Sequence, residues 1–157
     1  MSMPSQIFVY DPGVAERHAL ELSDFELAFL SVARSFFETF ESPSGQCWMM
    51  GFMDAERRFP IPYGATIAHA ISMVVSELRE SHQGVFPYFR TTDELAGQAV
   101  TQTERYLLET LRHIRNGNRS GAQTTAMLLC QGNASRGLLQ ALERLCLITG
   151  DVTELRF

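Results

Sequence analysis

The chain has 157 residues, a formal net charge of −5 and no lysine, so all 13 of its basic side chains are arginines. The absence of lysine excludes P-loop, Schiff-base and kinase-type active sites, because each of them needs a lysine amine. The acidic balance disfavours binding to nucleic acid or to anionic membranes, since both depend on a basic protein surface.

The first residues carry the only strand-like pattern in the chain. The apolar run Ile7–Tyr10 is followed at once by a turn sequence at residues 11–13. Because a lone strand has no partner, we expect residues 1–11 to form an extended N-terminal arm. The Asp-Pro pair of the turn can also begin a short helix that runs to about Leu22.

Helical periodicity dominates the rest of the chain. Apolar residues recur at three- and four-residue spacing in three long stretches, and two shorter stretches separated by a Gly-containing turn follow them. Polar residues typical of capping boxes stand at Ser23–Glu26, Thr91–Glu94 and Ser120–Gln123. Helices are predicted over residues 23–41, 62–82, 92–116, 120–130 and 134–149, with a short, buried or half-buried helix over residues 46–58.

These elements predict an all-α fold, a single-domain bundle of five to seven helices over residues 1–157 with a C-terminal αα-hairpin. No internal repeat or linker is visible in the sequence. The three cysteines are odd in number and lack CxxC spacing, so they are interpreted as reduced core residues rather than as a disulfide or zinc framework. We expect a cytoplasmic protein, because the sequence has neither a signal-peptide pattern nor an apolar stretch long enough to span a membrane.

Methionine and aromatic residues are concentrated in two segments, 47–63 and 85–89. Such side chains can form an adaptable apolar groove for a partner or a small ligand. The predicted ligand-binding residues are Trp48, Met49, Phe52, Tyr63 and Phe86. The alternative interpretation is that these side chains only fill the core.

The turn at residues 115–121 joins two predicted helices and combines two arginines with two glycines. The free amides and partial positive charge of the helix N-terminus that follows suit an anion such as a phosphate. The predicted anion-binding residues are Arg115, Arg119 and Ser120. Each also has a local explanation, since Ser120 can cap the helix and the arginines can simply be solvated.

Two further patterns offer alternative functions. Glu109 and His113 lie one helical turn apart, so they can bind a metal or act as an acid–base pair in a small helical enzyme. Residues 123–145 can be laid on a helix-turn-helix. The base-reading side chains would then be Arg136, Gln140 and Arg144. A surface i, i+4 pair and an ordinary αα-hairpin explain the same residues without either function.

The function we expect is that of a non-catalytic interaction or regulatory module that forms a homodimer and holds a small apolar or anionic ligand. The homodimer is expected because two long helices have apolar arcs too wide for a monomer of this size to cover, which would place the first or third long helix at the two-fold axis. No cofactor or metal ion is expected. The alternatives are a small enzyme or metal-binding protein that uses Glu109 and His113, and a helix-turn-helix DNA-binding protein.

Overall fold

The structure, a computed structural model, describes residues 5–10, 18–82 and 86–156. Six helices and three strands lie within those ranges. In chain order they are β1 (Ser5–Tyr10), β2 (His18–Leu22), α1 (Asp24–Glu41), α2 (Cys47–Arg58), α3 (Gly64–Ser81), β3 (Ala99–Thr101), α4 (Gln102–Arg115), α5 (Arg119–Leu129) and α6 (Arg136–Arg156). The predicted helical fold class is confirmed, with a small sheet added to it.

A three-stranded sheet includes the segment for which an extended arm was predicted. β1 is the middle strand, antiparallel to β2 and parallel to β3. Ile7 and Val9 are buried while Tyr10 is exposed, which is the alternation of a strand with one face on the core. The arm prediction is therefore wrong over residues 5–10. The short helix predicted up to Leu22 is wrong over residues 18–22, which form β2, and residues 11–17 lie outside the described residues.

The predicted capping boxes differ in outcome. The box at the start of α1 is confirmed, with the Ser23 hydroxyl accepting from the Glu26 amide at 3.2 Å. The box predicted at Thr91 does not begin a helix, since residues 91–98 form turns. Instead, α4 begins with a capping box of the same type at Thr101 and Glu104. Only Thr101 ends a strand that pairs with β1, so tertiary pairing selects between two sequences with equal local signals.

α5 and α6 also differ from prediction at their ends. The N-cap of α5 is Asn118, whose side-chain oxygen accepts from the Gly121 amide at 3.0 Å. Ser120 therefore lies inside the helix and does not cap it. α6 continues past its predicted end at residue 149, through Gly150 to Arg156. A single glycine weakens a helix by only about 1 kcal/mol, too little to end one by itself.

The fold repeats one arrangement twice. Each half consists of a strand followed by three helices, β2-α1-α2-α3 and β3-α4-α5-α6. β2 and β3 run in opposite directions on either side of β1, α1 contacts α4, and α3 packs along α6. This is the set of contacts that two halves related by an approximate two-fold axis would make.

The first of two arginine–glutamate pairs that join the halves is buried. Nε and Nη2 of Arg34 in α1 donate to the two carboxylate oxygens of Glu104 in α4, at 2.7 and 2.9 Å, and the two side chains are 5% and 0% exposed. Nη2 also donates to the Ala99 carbonyl of β3 at 2.9 Å. Glu104 in turn accepts from the Thr101 amide, at 2.9 Å, in the capping box of α4. The pair therefore holds α1 against both β3 and the beginning of α4.

The second pair repeats this geometry with α1 and α4 exchanged. Nε and Nη2 of Arg112 donate to the carboxylate oxygens of Glu26, both at 3.0 Å, and Nη2 donates to the Glu21 carbonyl of β2 at 2.8 Å. Glu26 accepts from the Ser23 amide at 3.0 Å in the capping box of α1. Every residue of this set lies 78 positions before or after its counterpart in the buried pair. The side chain of Arg112 is 40% exposed, so the second pair is the more hydrated one.

α1 is enclosed by its own chain. It contacts α2, α3, α4 and β2, and its buried residues, among them Phe25, Phe29, Val32 and Phe36, lie on most of its circumference. The wide apolar arc from which a homodimer was predicted is therefore covered within one copy of the chain. This removes the reason for placing the first long helix at a two-fold axis, and the homodimer itself stays a prediction.

Truncation of Ile7 tests whether β1 belongs to the core. Ile7 is 4% exposed, so Ile7→Ala should lower the free energy of unfolding by about 2–5 kcal/mol, the usual loss for a buried isoleucine. Tyr10→Ala, at the exposed end of the same strand, is the matched control and should cost less than about 1.5 kcal/mol. Urea unfolding followed by circular dichroism measures both. Small and equal losses would contradict the burial of β1.

Candidate functional site

A groove of about 910 Å³ separates α5 from α6. Its lining comes from the end of α4, one face of α5, the turn after it and one face of α6. The lining residues are Ile114, Gly117, Arg119, Ala122, Gln123, Met127, Ala134, Ser135, Arg136, Leu139, Gln140 and Glu143. On each helix they recur at three- and four-residue spacing, so the two walls of the groove are two single helix faces.

The corresponding helices of the first half, α2 and α3, cross more closely. At the crossing, an alanine methyl group at position 64 would lie 2.7 Å from the Cα of Glu56, so only Gly64 permits this approach. The space between α2 and α3 is about 500 Å³. The second half of the repeat is thus the more open one.

The groove is held open by the helices behind its two walls. α5 packs along α4, whereas α6 packs along α3. Two hydrogen bonds fasten the turn between them to the end of α3. Nδ1 of His82 donates to the Leu129 carbonyl at 2.9 Å, and the side-chain amide of Asn133 donates to the Ser81 carbonyl at 2.8 Å. Because each wall rests on a different helix, the two walls do not close onto each other.

The groove combines apolar side chains with an arginine at each end. Met127, the last residue of α5 in the lining, is 59% exposed. Arg119 is the first residue of α5, and Arg136 follows the turn after the last residue of α5. Among the described side chains, neither guanidinium has a carboxylate partner. Both arginines stand at helix N-termini, whose partial positive charge adds to their own. The two arginines therefore favour negative charge in an occupant, and the apolar side chains of the lining favour apolar groups.

The three residues predicted to bind an anion do not converge on one point. The Arg115 guanidinium lies over the ring of Phe25 in α1, at 4.1 Å from its centroid. Arg119 lines the groove, and Ser120 lies in the first turn of α5 outside the lining. Of the three, only Arg119 belongs to the candidate site.

The five residues predicted to bind a ligand lie in separate places. Trp48 and Met49 are exposed on the outer side of α2, and Tyr63 is exposed just before α3. Phe52 and Phe86 are partly buried against different aromatic rings of α1. The structure does not bring the five together into a single pocket.

Glu109 and His113 are engaged with other partners. The Glu109 carboxylate accepts from Nε of Arg105 at 2.9 Å, and Nδ1 of His113 lies 3.2 Å from the side-chain nitrogen of Asn118. Among the side chains that the structure describes, no group of three or more His, Cys, Asp or Glu is placed to hold a metal ion. This geometry offers no support for acid–base or metal chemistry at the two residues.

Only two of the three residues predicted to read DNA line the groove. Arg136 and Gln140 line it, whereas Arg144 is exposed outside it. In a helix-turn-helix the second helix presents its first turns to the DNA. Here those turns face the space between α5 and α6, and base reading by these residues stays a prediction.

Sequence periodicity alone does not reveal the apolar part of the groove, because Ile114, Met127 and Leu139 lie in apolar stripes that are typical of core-facing helix surfaces. One signal in the sequence of α5 does point to it. Ala126 and Leu129 are buried, whereas Met127 and Leu128 between them are exposed. A short helix with apolar residues on two sides can bury only one of these sides in its own core, so the other stays available for contacts.

The three cysteines are unpaired thiols. Burial raises the pKa of Cys146 to about 11, with a smaller lowering effect from nearby Arg115. Burial also raises the pKa of Cys130, and at Cys47 the carboxylate of Glu38 adds to the same effect. Since the thiolate is the nucleophile, none of the three has the environment of a reactive cysteine.

No helix among the described residues is long and apolar enough to cross a membrane. The chain matches no protein-family model, no curated protein and no solved structure.

Alkylation of the cysteines tests their assignment as structural residues. A rise in pKa from 9.0 to about 11 lowers the thiolate fraction of Cys146 about 100-fold at neutral pH. Iodoacetamide should therefore modify Cys146 at least about 100-fold more slowly in the native chain than in urea, and the native rate should rise as the pH approaches that pKa. Peptide mass spectrometry measures each site. Equal native and urea rates for Cys146 would contradict its assignment as a buried structural thiol.

Proposed function

We propose that the protein is a non-catalytic interaction module whose α5–α6 groove binds an amphipathic helix of a partner protein, with acidic residues at both ends of the apolar stripe of that helix. The observation that carries the proposal is the groove itself, which lies between two helices, contains exposed apolar side chains and has at each end an arginine without a carboxylate partner among the described side chains. Exposed apolar surface of this kind, bordered by polar residues, is typical of a protein–protein contact.

The dimensions of the groove favour a helix as the occupant. α5 has 11 residues and is therefore about 16 Å long, which equals three turns of a second helix laid beside it. Helix-in-groove recognition places apolar side chains at i, i+3 or i+4, and i+7, a spacing that fits this length. Met127 and Leu139, one from each wall, are the side chains that such a stripe would contact.

The charges of the groove favour acidic ends on that helix. Arg119 and Arg136 lack carboxylate partners among the described side chains, while the lining contains a single acidic residue, Glu143. An arginine offers its N–H groups in a planar arrangement that matches a carboxylate, so glutamate or aspartate of the partner would complete both ends.

The predicted homodimer and cytoplasmic location are compatible with this proposal, whereas the enzyme alternative is not kept. A homodimer stays a prediction, and the exposed Trp48, Met50 and Met53 of α2 are the apolar surface on which it would form. A cytoplasmic location is kept, since three unpaired thiols suit a reducing compartment. An enzyme based on Glu109 and His113 is not proposed, because Glu109 is bound to Arg105 and His113 lies against Asn118.

A designed peptide tests the proposal. The probe is a fluorescent helical peptide of about 14 residues with a leucine stripe at helical spacing and two glutamates at each end. Binding is followed by fluorescence anisotropy. Met127→Asp should weaken it at least about tenfold, because the new carboxylate would be desolvated beneath the leucine stripe. Leu128→Asp is the matched control, since Leu128 is 54% exposed but lies outside the lining, and should leave the affinity unchanged.

The arginines provide the second arm of the experiment. Arg136→Gln should weaken binding and reduce its dependence on salt, whereas Arg144→Gln, on the same helix outside the groove, should change neither. Failure of the peptide to bind, equal losses in Met127→Asp and Leu128→Asp, or unchanged affinity when the glutamates are replaced by glutamine would contradict the proposal. Retardation of a DNA duplex that depends on Arg136, without peptide binding, would favour the helix-turn-helix alternative instead.

A further inference from the structure

A second cavity, of about 140 Å³, lies between α1, the end of α3 and residues 86–88. Its walls are mainly aromatic. Phe37 of α1 stacks on Phe86 with ring centroids 4.6 Å apart and lies 5.3 Å from Tyr88. Phe40, one turn further along α1, completes the aromatic wall.

The size of the cavity corresponds to one six-membered ring. An apolar cavity of about 150 Å³ is large enough for benzene. Flat aromatic walls suit a flat aromatic guest, because stacked and edge-to-face contacts add to the burial of its surface.

His82 gives this mainly aromatic cavity a hydrogen-bond acceptor. The residue is 7% exposed, and its imidazole lines the cavity. Nδ1 carries the ring hydrogen, because its partner at 2.9 Å, the Leu129 carbonyl, can only accept. In the neutral imidazole Nε2 is then an acceptor, and because no described buried side-chain atom lacks a hydrogen-bond partner, Nε2 is accessible to solvent rather than buried and unsatisfied. A ligand in the cavity can therefore donate a hydrogen bond to it.

The charged groups at the cavity favour a neutral ligand. The Arg79 guanidinium lies over the ring of Phe40 at 4.6 Å, where its positive charge disfavours a cationic guest. The Glu41 carboxylate accepts from the Tyr88 hydroxyl at 2.6 Å and from Arg90 at 3.1 Å, so it is already bound and disfavours an anionic guest.

We propose that this cavity binds a neutral monocyclic phenol, with the ring among Phe37, Phe86 and Tyr88 and the hydroxyl donating to Nε2 of His82. The site is distinct from the α5–α6 groove and does not depend on the function proposed for it. Ligand and protein form no covalent bond, and the phenol is held by ring contacts and a single hydrogen bond.

Fluorine NMR of 4-fluorophenol tests the proposal on the full chain at neutral pH. The dissociation constant should be about 0.1–1 mM, the range that a ligand with one ring and one hydrogen bond reaches. Fluorobenzene, which keeps the ring but lacks the hydroxyl, should bind at least about tenfold more weakly. His82→Leu should lower the affinity for 4-fluorophenol to that for fluorobenzene.

Two further variants keep the test decisive if His82→Leu unfolds the chain. Phe86→Trp should fill the cavity and abolish binding of both compounds, whereas Phe89→Trp, an aromatic change outside the lining, should leave both affinities unchanged. Circular dichroism checks that each variant is folded. The proposal is overturned if the unmodified chain binds neither compound, if it binds both equally, if 4-fluorobenzoate binds more tightly than 4-fluorophenol, or if Phe86→Trp retains binding.

Discussion

A glutamate without exposed surface must have its charge and its hydrogen bonds satisfied inside the protein, and the architecture is arranged around this requirement at Glu104. Arg34 supplies two hydrogen bonds to its carboxylate, and the Thr101 amide supplies a third. The attraction offsets the cost of burying both charges only when the geometry is good, and a partner left alone would be strongly destabilising. The pair therefore places α1 beside β3 and the beginning of α4. The same requirement, met at Glu26 by Arg112, fixes the other end of the contact. Two attachments at opposite ends hold α1 and α4 antiparallel.

The approximate symmetry that follows from these pairs makes the difference between the halves informative. In the first half Gly64 lets α3 approach α2 closely, and the space between them is the smaller one. In the second half α5 rests on α4 and α6 rests on α3, and the groove stays between them. A repeated framework thus supports one half with a smaller space between its last two helices and one half with a larger groove. The proposed function lies in that difference and not in the framework that the halves share.

Local signals in the sequence predict the helices well and their assembly poorly. Ser23 and Glu26 predict the start of α1 correctly, because a capping box involves residues only three positions apart. The same local pattern at Thr91 misleads, because the choice between it and Thr101 depends on pairing with a strand about 90 residues earlier. The sequence around β1 predicts only an extended arm, because the strands that pair with β1 cannot be identified from local sequence. The candidate site shows the same contrast between local and tertiary information. The turn sequence around Arg119 predicts its role locally, whereas the contribution of Met127 depends on the distance between α5 and α6.

Arg34 pairs with Glu104, and Arg112 with Glu26, across the two halves. Double-mutant cycles on the free energy of unfolding test this reciprocal pairing directly. Arg34→Met with Glu104→Gln should give a coupling of at least about 2 kcal/mol, and Arg112→Met with Glu26→Gln a smaller one of about 0.5–1 kcal/mol, because solvent screens that pair. The matched control is the cycle of Arg34→Met with Glu26→Gln, which lie on one helix without touching and should be additive within about 0.5 kcal/mol. Additivity in the cycle of Arg34 and Glu104, or equal coupling in the control, would contradict the reciprocal pairing.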